Sequence, residues 1–414
     1  MKFRYGRIYL LGFGFFGVSV IWAVYNAFVP IFLADKFHLQ PALVGFFMAL
    51  NNIAALFIEP PVGAWSDRLR TPLGRRMPFI LIGAPIGAIA FGFIPLAAAL
   101  PLFAACTVTL LLSMAFWRTP VIALMPDITP SPFRSQANAI INLMGGIGSI
   151  LAFLGGSMLY RMNPAFPFWM ASILVLLAAV LVLVFIREPR DYERSAEKPD
   201  LFRSLGEIFK DPDRSALSLF LAIFFWFLGY SAIEAFFTLY GEHHLNLSPA
   251  DGSRLLSHLS LFFVLFALVA GVVGTRIGRR LTILIGIALL AVLIAAIYIL
   301  PAGILTRVLF SLPVLGTIPV ISLLLMACGA GWAFININSL PMALDLTTQA
   351  RVGTFTGLYY LFSMLSSIVG PNINGLAVQL SGNNYNIIML LAPLFMLVAL
   401  VLMLGVHRGE AQPA

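Results

Sequence analysis

Residues 59–80 read EPPVGAWSDRLRTPLGRRMPFI, and this stretch decides how the rest of the chain is interpreted. It holds the end of one apolar segment, a polar turn with four arginines, and the start of a second apolar segment. Short loops rich in Lys and Arg stay in the cytoplasm, because the anionic inner leaflet attracts them and the membrane potential opposes their transfer. The stretch therefore predicts a cytoplasmic turn between two membrane-spanning helices.

A weaker copy of this turn occurs half a chain later, as GVVGTRIGRR at residues 271–280. The first glycines of the two copies, Gly63 and Gly271, are 208 residues apart. A second pattern, an Asp followed a few residues later by an Arg, occurs twice, with the two Asp residues 218 residues apart. The residues of this second match are Asp127 with Arg134 and Asp345 with Arg351. Two matches in the same order indicate an internal duplication.

The composition excludes a soluble domain. The chain is 60% hydrophobic and only 10% charged, with a mean hydropathy of +0.97, whereas soluble domains are about 25% charged. The net charge of +8 does not indicate nucleic-acid binding, because the basic residues lie between apolar segments rather than on one solvated face. Cys106 and Cys328 both lie in apolar runs, so neither a disulfide nor a metal site is predicted.

The apolar segments predict an all-α membrane protein with twelve transmembrane helices, since each span needs about 20 apolar residues. They divide into two six-helix bundles related by a pseudo-two-fold axis: an N-terminal bundle at 1–187, a cytoplasmic linker at 188–214 and a C-terminal bundle at 215–414. The predicted spans are 8–33, 41–65, 78–97, 101–126, 136–160, 165–187, 215–240, 254–276, 281–300, 317–343, 353–380 and 385–406.

The distribution of basic residues predicts the orientation. With the amino terminus placed inside, 20 of the 25 Lys and Arg residues fall in cytoplasmic segments, 4 fall outside, and Arg118 lies within a span. The positive-inside rule then places both termini in the cytoplasm, in the inner membrane.

Three ionisable residues lie within predicted spans, where an unpaired charge costs several kcal/mol: Glu59, Arg118 and Glu234. At about 1.5 Å per residue, Glu59 and Arg118 lie about 9 and about 13 Å from the cytoplasmic ends of their helices. We therefore expect them to form a pair that binds substrate hydroxyls and a proton. The alternative is a permanently closed structural ion pair.

Glu234 stands alone in the seventh span, in GYSAIEAFFTLY. An unpaired buried carboxyl titrates closer to neutral pH, as proton coupling requires. The alternative is that its side chain extends to the outer interface.

A set of glycines and charged residues at the predicted cytoplasmic helix ends forms candidate gates, since ion pairs there would hold one conformation closed. Thr275 replaces Asp67 in the second half, so we expect the two gates to be unequal. The gate residues are Gly63, Asp67, Arg68, Gly74, Arg75, Arg76, Asp127, Arg134, Arg276, Arg279, Asp345 and Arg351.

The turn resembles the G-x-x-x-D-R-x-G-R-R signature of the major facilitator superfamily, with extra loop residues. The expanded form SDRLRTPLGRRMPFI, and residues 117–149, resemble the sucrose-carrier-like and glycoside–pentoside–hexuronide branches. The resemblance implies two bundles that rock about a central site lined by spans 1, 4, 7 and 10. It therefore favours Asn26, Asn336 and Asn338 as residues facing that site.

The same resemblance implies proton-coupled uptake of a disaccharide or other glucoside. Plant relatives use a carboxylate and an arginine of the fourth span, which correspond here to Asp127 and Arg118. Sodium-coupled relatives carry Asp residues in the second span, whereas this chain has Glu59 preceded by Asn51 and Asn52, which favours protons.

Two other classes of function remain open. A carrier of the same fold could export drugs or other amphiphiles. A membrane enzyme or sensor is disfavoured, because the chain has no H-E-x-x-H, no G-x-x-x-x-G-K-[ST] and no attached soluble domain. We expect no cofactor and no metal, and the expected partners are a small-molecule substrate, protons and the lipid bilayer.

Overall fold

The computed structural model describes residues 5–129, 134–188, 213–347 and 352–409. Within them, 12 helices are long and apolar enough to cross a membrane, which confirms the predicted spans and the all-α fold. These helices are α1 Tyr5–Ile31, α2 Pro41–Arg68, α3 Met77–Phe93, α4 Leu100–Ile128, α5 Arg134–Met162, α6 Phe166–Phe185, α7 Ser215–His243, α8 Pro249–Ile277, α9 Arg279–Ile299, α10 Val320–Asp345, α11 Val352–Leu380 and α12 Ile387–Leu404.

Several short elements extend or connect the helices. A π-helical turn continues α1, a 3₁₀ turn continues α3, and a single helical turn follows α9. These turns are Phe32–Lys36, Ile94–Leu96 and Ala302–Leu305. Proline lies in the first turn of α3, α4 and α6, where its missing N–H has no helical partner to lose.

The chain forms two compact units, which we call unit 1 and unit 2. Unit 1 comprises Met1–Leu39, Leu50–Arg194 and Ser248–Ser257, and unit 2 comprises Gln40–Ala49, Ser195–Leu247 and His258–Ala414. The beginning of α2 therefore belongs to unit 2, and the beginning of α8 belongs to unit 1. The predicted linker at 188–214 falls almost wholly on residues 189–212, which lie outside the described residues, so its bounds stay a prediction.

The packing within each unit repeats the same pattern. In unit 1, α1 packs against α5 and α6, and α3 packs against α4 and α6. In unit 2, α7 packs against α11 and α12, and α9 packs against α10 and α12. Each pair in unit 2 lies six helices after its counterpart in unit 1. The internal duplication inferred from the sequence is thus expressed in the helix packing.

Glycines allow the closest helix contacts within the units. A Cβ on Gly148 of α5 would lie 2.7 Å from the carbonyl oxygen of Phe16 in α1. A Cβ on Gly329 of α10 would likewise overlap the carbonyl oxygen of Leu259 in α8. Membrane helices associate through van der Waals packing, so small residues at these crossings let the backbones approach.

A β-hairpin precedes α10, and the sequence analysis did not anticipate it. Strands β1 Val308–Leu312 and β2 Gly316–Pro319 pair antiparallel, with Phe310 opposite Ile318. The tenth span was predicted from residue 317, but α10 begins at Val320 because residues 316–319 pair with β1. A hydropathy pattern does not separate a short apolar strand from the first turn of a helix.

Candidate functional site

An ion pair lies within the membrane-spanning part of unit 1. Arg118 of α4 donates from Nη1 to Oε1 of Glu59 in α2 across 2.9 Å. The arginine side chain keeps 32% of its surface exposed and the glutamate 15%. The structure therefore brings the two predicted residues together, in a position where neither is sealed inside the packing.

Local packing positions both members of the pair. Trp117, which precedes Arg118, is buried, and its Cβ lies where a side chain on Gly83 of α3 would have to go. This contact fixes the rotation of α4. On α2, Glu59 is followed directly by Pro60 and Pro61. Neither proline has a backbone N–H, so two helical hydrogen-bond donors are missing next to Glu59.

A second cluster of charges occupies the predicted cytoplasmic end of unit 1, and we call it the arginine cluster. Asp127 accepts from Arg75 Nη2 at 2.5 Å and from Arg76 Nε at 3.1 Å. Arg76 also reaches Asp67 Oδ1 at 2.5 Å and donates to the hydroxyl of Ser66. Two guanidinium groups that share one carboxylate hold the turn after α2 against the end of α4.

Glu188 completes the arginine cluster, and the sequence analysis missed it by assigning it to the linker. Its Oε2 accepts the backbone N–H of Arg76 at 2.9 Å, and its Oε1 lies 3.4 Å from Arg75 Nε. Burial raises the pKa of Glu188, the Arg76 N–H opposes this shift, and the charge of Asp127 adds to it. In the sequence, the only indication that Glu188 could join the cluster was its position directly after the sixth predicted span.

Gly74 allows the approach of Glu188. Its φ of +113° is a conformation that side-chain-bearing residues rarely adopt, and the Glu188 carboxyl occupies the place where a Cβ would project. Glycine at this position therefore satisfies both the turn and the ionic contact.

The corresponding end of unit 2 carries a simpler arrangement. Arg279 pairs with Asp345, and Arg280 donates to the carbonyl oxygens of Met403 and Leu404 at the end of α12. Thr275, which replaces the aspartate of the first half, donates to the Val272 carbonyl of its own helix. In the described residues, the two repeats thus hold their charged ends through different sets of contacts.

The other gate candidates are placed as follows. Arg68 and Arg276 are exposed, and Gly63 packs near Thr119. The side chain of Arg134 and the whole of Arg351 lie outside the described residues, so their predicted ion pairs stay predictions.

In unit 2, aromatic residues pack together at the two helical turns that precede Glu234. Tyr230, one helical turn before it, stacks on Trp332 of α10 with ring centroids 3.9 Å apart and planes 3° apart. Phe227 meets the same indole edge-on at 5.3 Å. Glu234 itself is half-buried and takes part in an interaction within the structure. The sequence analysis expected an unpaired carboxyl here, and the structure corrects that point; the role of Glu234 in proton coupling stays a prediction.

The three predicted amides differ in their surroundings. Asn338 is buried and donates to the carbonyl oxygens of Ala270 and Phe334, each at 3.0 Å. These two hydrogen bonds link α8 to α10 and use both N–H groups of the amide. We therefore interpret Asn338 as a residue that holds the two helices together. Asn26 and Asn336 are half-buried, and their proposed contact with a substrate stays a prediction.

The comparison with protein families finds one match over nearly the whole chain. The model of the Major Facilitator Superfamily matches residues 11–371 and, in a second alignment, residues 243–413. The matched ranges include both charged turns, the Glu59–Arg118 pair and Glu234.

Curated relatives fall into two groups. Multidrug resistance protein 2 of Bacillus subtilis (strain 168) is 24% identical over 373 residues, which cover 89% of this chain and 86% of the relative. Sucrose transport protein SUC3 of Arabidopsis thaliana is 27% identical over 163 residues, covering 34% of this chain and 27% of the relative.

Solved structures of transporters share the fold. A bacterial homolog of the human lysosomal transporter Spinster superposes with a TM-score of 0.74 at 15% identity, covering 98% of both chains. The nucleoside transporter NupG superposes with a TM-score of 0.75 at 16% identity, covering 97% of this chain and 100% of the other. At these identities the similarity shows the fold alone.

Proposed function

Because the chain belongs to the Major Facilitator Superfamily, whose members carry small molecules across membranes, we propose that it couples proton movement to the uptake of a disaccharide or glucoside. The observation that carries this proposal is the 2.9 Å contact between Arg118 and Glu59 inside the membrane-spanning part of unit 1. The pair links a group that takes up a proton to a group that binds hydroxyls.

The proposed coupling follows from the chemistry of the pair. While Glu59 is ionised, it occupies the guanidinium of Arg118. Protonation of Glu59 removes its charge and frees N–H donors of Arg118 to bind the hydroxyl oxygens of a sugar, with several donors in a planar fork. A solute is then bound more tightly when the proton is present. This difference in affinity between two states is what a symporter needs.

The partial exposure of the pair supports a working role over a purely structural one. A sealed structural ion pair would have both side chains inside the packing, whereas Arg118 keeps 32% of its surface exposed. In unit 2, Tyr230 and Trp332 are aromatic groups of the kind that packs against a sugar ring; Trp332 is buried under Tyr230, and Tyr230 is half-buried.

Export of amphiphilic compounds is the second candidate, and a separate observation favours it. In unit 2, apolar and aromatic side chains, among them Tyr230, Phe237, Cys328 and Trp332, line a cavity of ≈ 20 Å³. That volume holds about one water molecule, so it is the apolar lining and not the size that suits an amphiphile. The match to the multidrug resistance protein also covers more of the chain than the match to the sucrose transport protein.

Transport assays in proteoliposomes distinguish the two candidates. With an inward proton gradient, accumulation of radiolabelled sucrose or maltose that a protonophore abolishes is the expected result. The parallel assay measures extrusion of a fluorescent lipophilic cation under the opposite gradient. Extrusion of the cation without accumulation of either sugar, in protein that elutes as a single folded species, would replace the uptake proposal with export.

We also propose that the protein lies in the cytoplasmic membrane with both termini in the cytoplasm. The proposal rests on the 20 basic residues assigned to cytoplasmic segments against 4 assigned to outer ones. Labelling of a single cysteine placed at Ser381, in intact cells with an impermeant maleimide, is expected to succeed without permeabilisation.

A further inference from the structure

The β-hairpin before α10 exposes an unusual amount of apolar surface. Five of its apolar side chains keep between 41% and 74% of their surface exposed, and residues 308–319 contain no charged residue. The five are Val308, Leu309, Phe310, Leu312 and Val314. Hairpins that face water normally present polar residues on their exposed face and at their edges.

The turn of the hairpin adds an independent observation. Val314 has a φ of +71°, in the left-handed region that Gly and Asn adopt readily and a β-branched residue does not. A β-branched residue held in such a region strains the backbone. The Val314 side chain keeps 74% of its surface exposed, so the described part of the chain buries little of it. Burial in something outside the chain would offset the strain.

Specific contacts hold the hairpin against unit 2. The N–H of Val320 donates to the Arg307 carbonyl at 3.1 Å and closes the base of the hairpin. The ring of His258 is buried in α8, with Nδ1 3.0 Å from the Ser322 hydroxyl and Nε2 3.3 Å from the Leu315 carbonyl. These hydrogen bonds hold the hairpin in a defined position, so its exposed apolar side chains do not belong to a free loop.

The helix that leads into the hairpin, α9, also carries an exposed apolar face. Leu281, Ile285, Val292 and Ile299 are all exposed, and their spacing of four and then seven residues places them on one face of the helix. In an integral membrane protein such a face contacts acyl chains. The stripe ends with Ile299, which is 75% exposed and lies shortly before the hairpin.

We propose that the hairpin inserts its apolar side chains into the lipid leaflet at the end of unit 2 opposite the Arg279–Asp345 pair. The strands lie at the boundary of headgroups and acyl chains, where headgroups and water satisfy the backbone groups at the hairpin edges. Exposed Arg307, at the base, then lies at the level of the lipid phosphates. The hairpin acts as an interfacial anchor for the connection between α9 and α10.

Site-directed spin labelling of the full chain in lipid nanodiscs tests this placement. Ser311→Cys labels β1, and Ser381→Cys is the matched control, because Ser381 is exposed in the polar loop after α11. Asn386 in that loop donates to the Tyr298 carbonyl at 3.4 Å, so the control lies at the same end of unit 2. Both variants carry Cys106→Ala, since Cys106 is partly exposed whereas Cys328 is buried.

The label at position 311 is expected to collide several-fold more with oxygen, relative to an aqueous nickel chelate, than the label at position 381. Equal collision ratios at the two positions would overturn the proposal. Protection of position 311 from both reagents would also overturn it, because that result indicates contact with a second copy of the chain.

A second pair of variants covers the case in which a labelled protein does not fold. Phe310→Trp adds an indole to β1, and Asn384→Trp adds one to the control loop. Brominated lipids are expected to quench the added emission of the first variant and spare that of the second. Emission from Phe310→Trp that brominated lipids leave unchanged would contradict insertion.

Discussion

The Nη1 atom of Arg118 and the Oε1 atom of Glu59 lie 2.9 Å apart, and they join α2 to α4 within the membrane-spanning part of unit 1. Each group compensates the charge of the other, so a change to either one alters both the stability and the binding chemistry of the pair. Changing the two residues one at a time therefore separates proton coupling from substrate binding.

Glu59→Gln is expected to abolish proton-driven accumulation of substrate but to retain exchange of substrate across the membrane without a gradient. The amide keeps the shape and an acceptor for Arg118 but takes up no proton. Arg118→Ala is expected to lose both activities, because the hydroxyl-binding group is gone. Accumulation and counterflow in proteoliposomes measure the two effects.

Arg161→Ala serves as the control for that pair of variants. Arg161 also forms an ion pair, with Asp251 at 2.6 Å, but its side chain is 53% exposed. Exposed ion pairs contribute about 0–1 kcal/mol, so transport should stay near the wild-type level. Wild-type accumulation by Glu59→Gln would remove Glu59 from the proton pathway.

Asp127→Asn is expected to destabilise the protein more than Asp345→Asn. Asp127 serves both Arg75 and Arg76 and is only 14% exposed, whereas Asp345 pairs with Arg279 and is 34% exposed. Removing one partner of a buried ion pair costs about 3–5 kcal/mol; the more exposed pair should cost about 1 kcal/mol or less. Thermal unfolding in detergent compares the two, and equal midpoints would contradict the inequality of the two charged ends.

Glu188 should give the arginine cluster a distinctive dependence on pH. Burial raises its pKa above the ordinary value of 4.5, so the folded protein holds this proton more tightly than the unfolded chain does. The protonated carboxyl therefore makes its whole contribution to the free energy of unfolding below pH 4.5. That contribution is lost as the pH rises through the raised pKa of the folded state.

Glu188→Gln should remove this dependence, because the amide carries no titrating proton and still offers an oxygen to the Arg76 N–H. As the pH rises from 4.5, the unfolding midpoint of the wild type is therefore expected to fall relative to that of Glu188→Gln. Midpoints measured at half-unit intervals of pH check this sign. A difference that stays constant with pH would show that the pKa of Glu188 is not raised.

Gly329→Ala should destabilise unit 2, because the added methyl group would overlap the Leu259 carbonyl oxygen. Overpacking of this kind costs about 1–3 kcal/mol. Gly303→Ala is the matched control, since a Cβ at Gly303 would meet nothing within 4 Å. The unfolding midpoint should fall for Gly329→Ala and stay near the wild-type value for Gly303→Ala. A wild-type midpoint for Gly329→Ala would mean that α8 and α10 can move apart at little cost.

The sequence was sufficient for the features that depend on local composition and repetition. Long apolar runs predicted the twelve spans, because each run alone must fill the thickness of a bilayer. The paired motifs around Gly63 and Gly271 indicated the duplication that the packing of the two units repeats. The matched depths of Glu59 and Arg118 could be read from helical rise alone.

Features that depend on how helices are rotated against one another required the tertiary structure. Asn338 points into the contact between α8 and α10, which hydropathy cannot reveal because the helix is apolar on every side. Glu188 joins the arginine cluster only because the end of α6 approaches a glycine turn more than 100 residues earlier in the chain. The sequence by itself determined which segments cross the membrane, since that follows from transfer free energies summed along the chain. Only the tertiary structure decided which charges and amides meet, since that depends on packing between segments far apart in sequence.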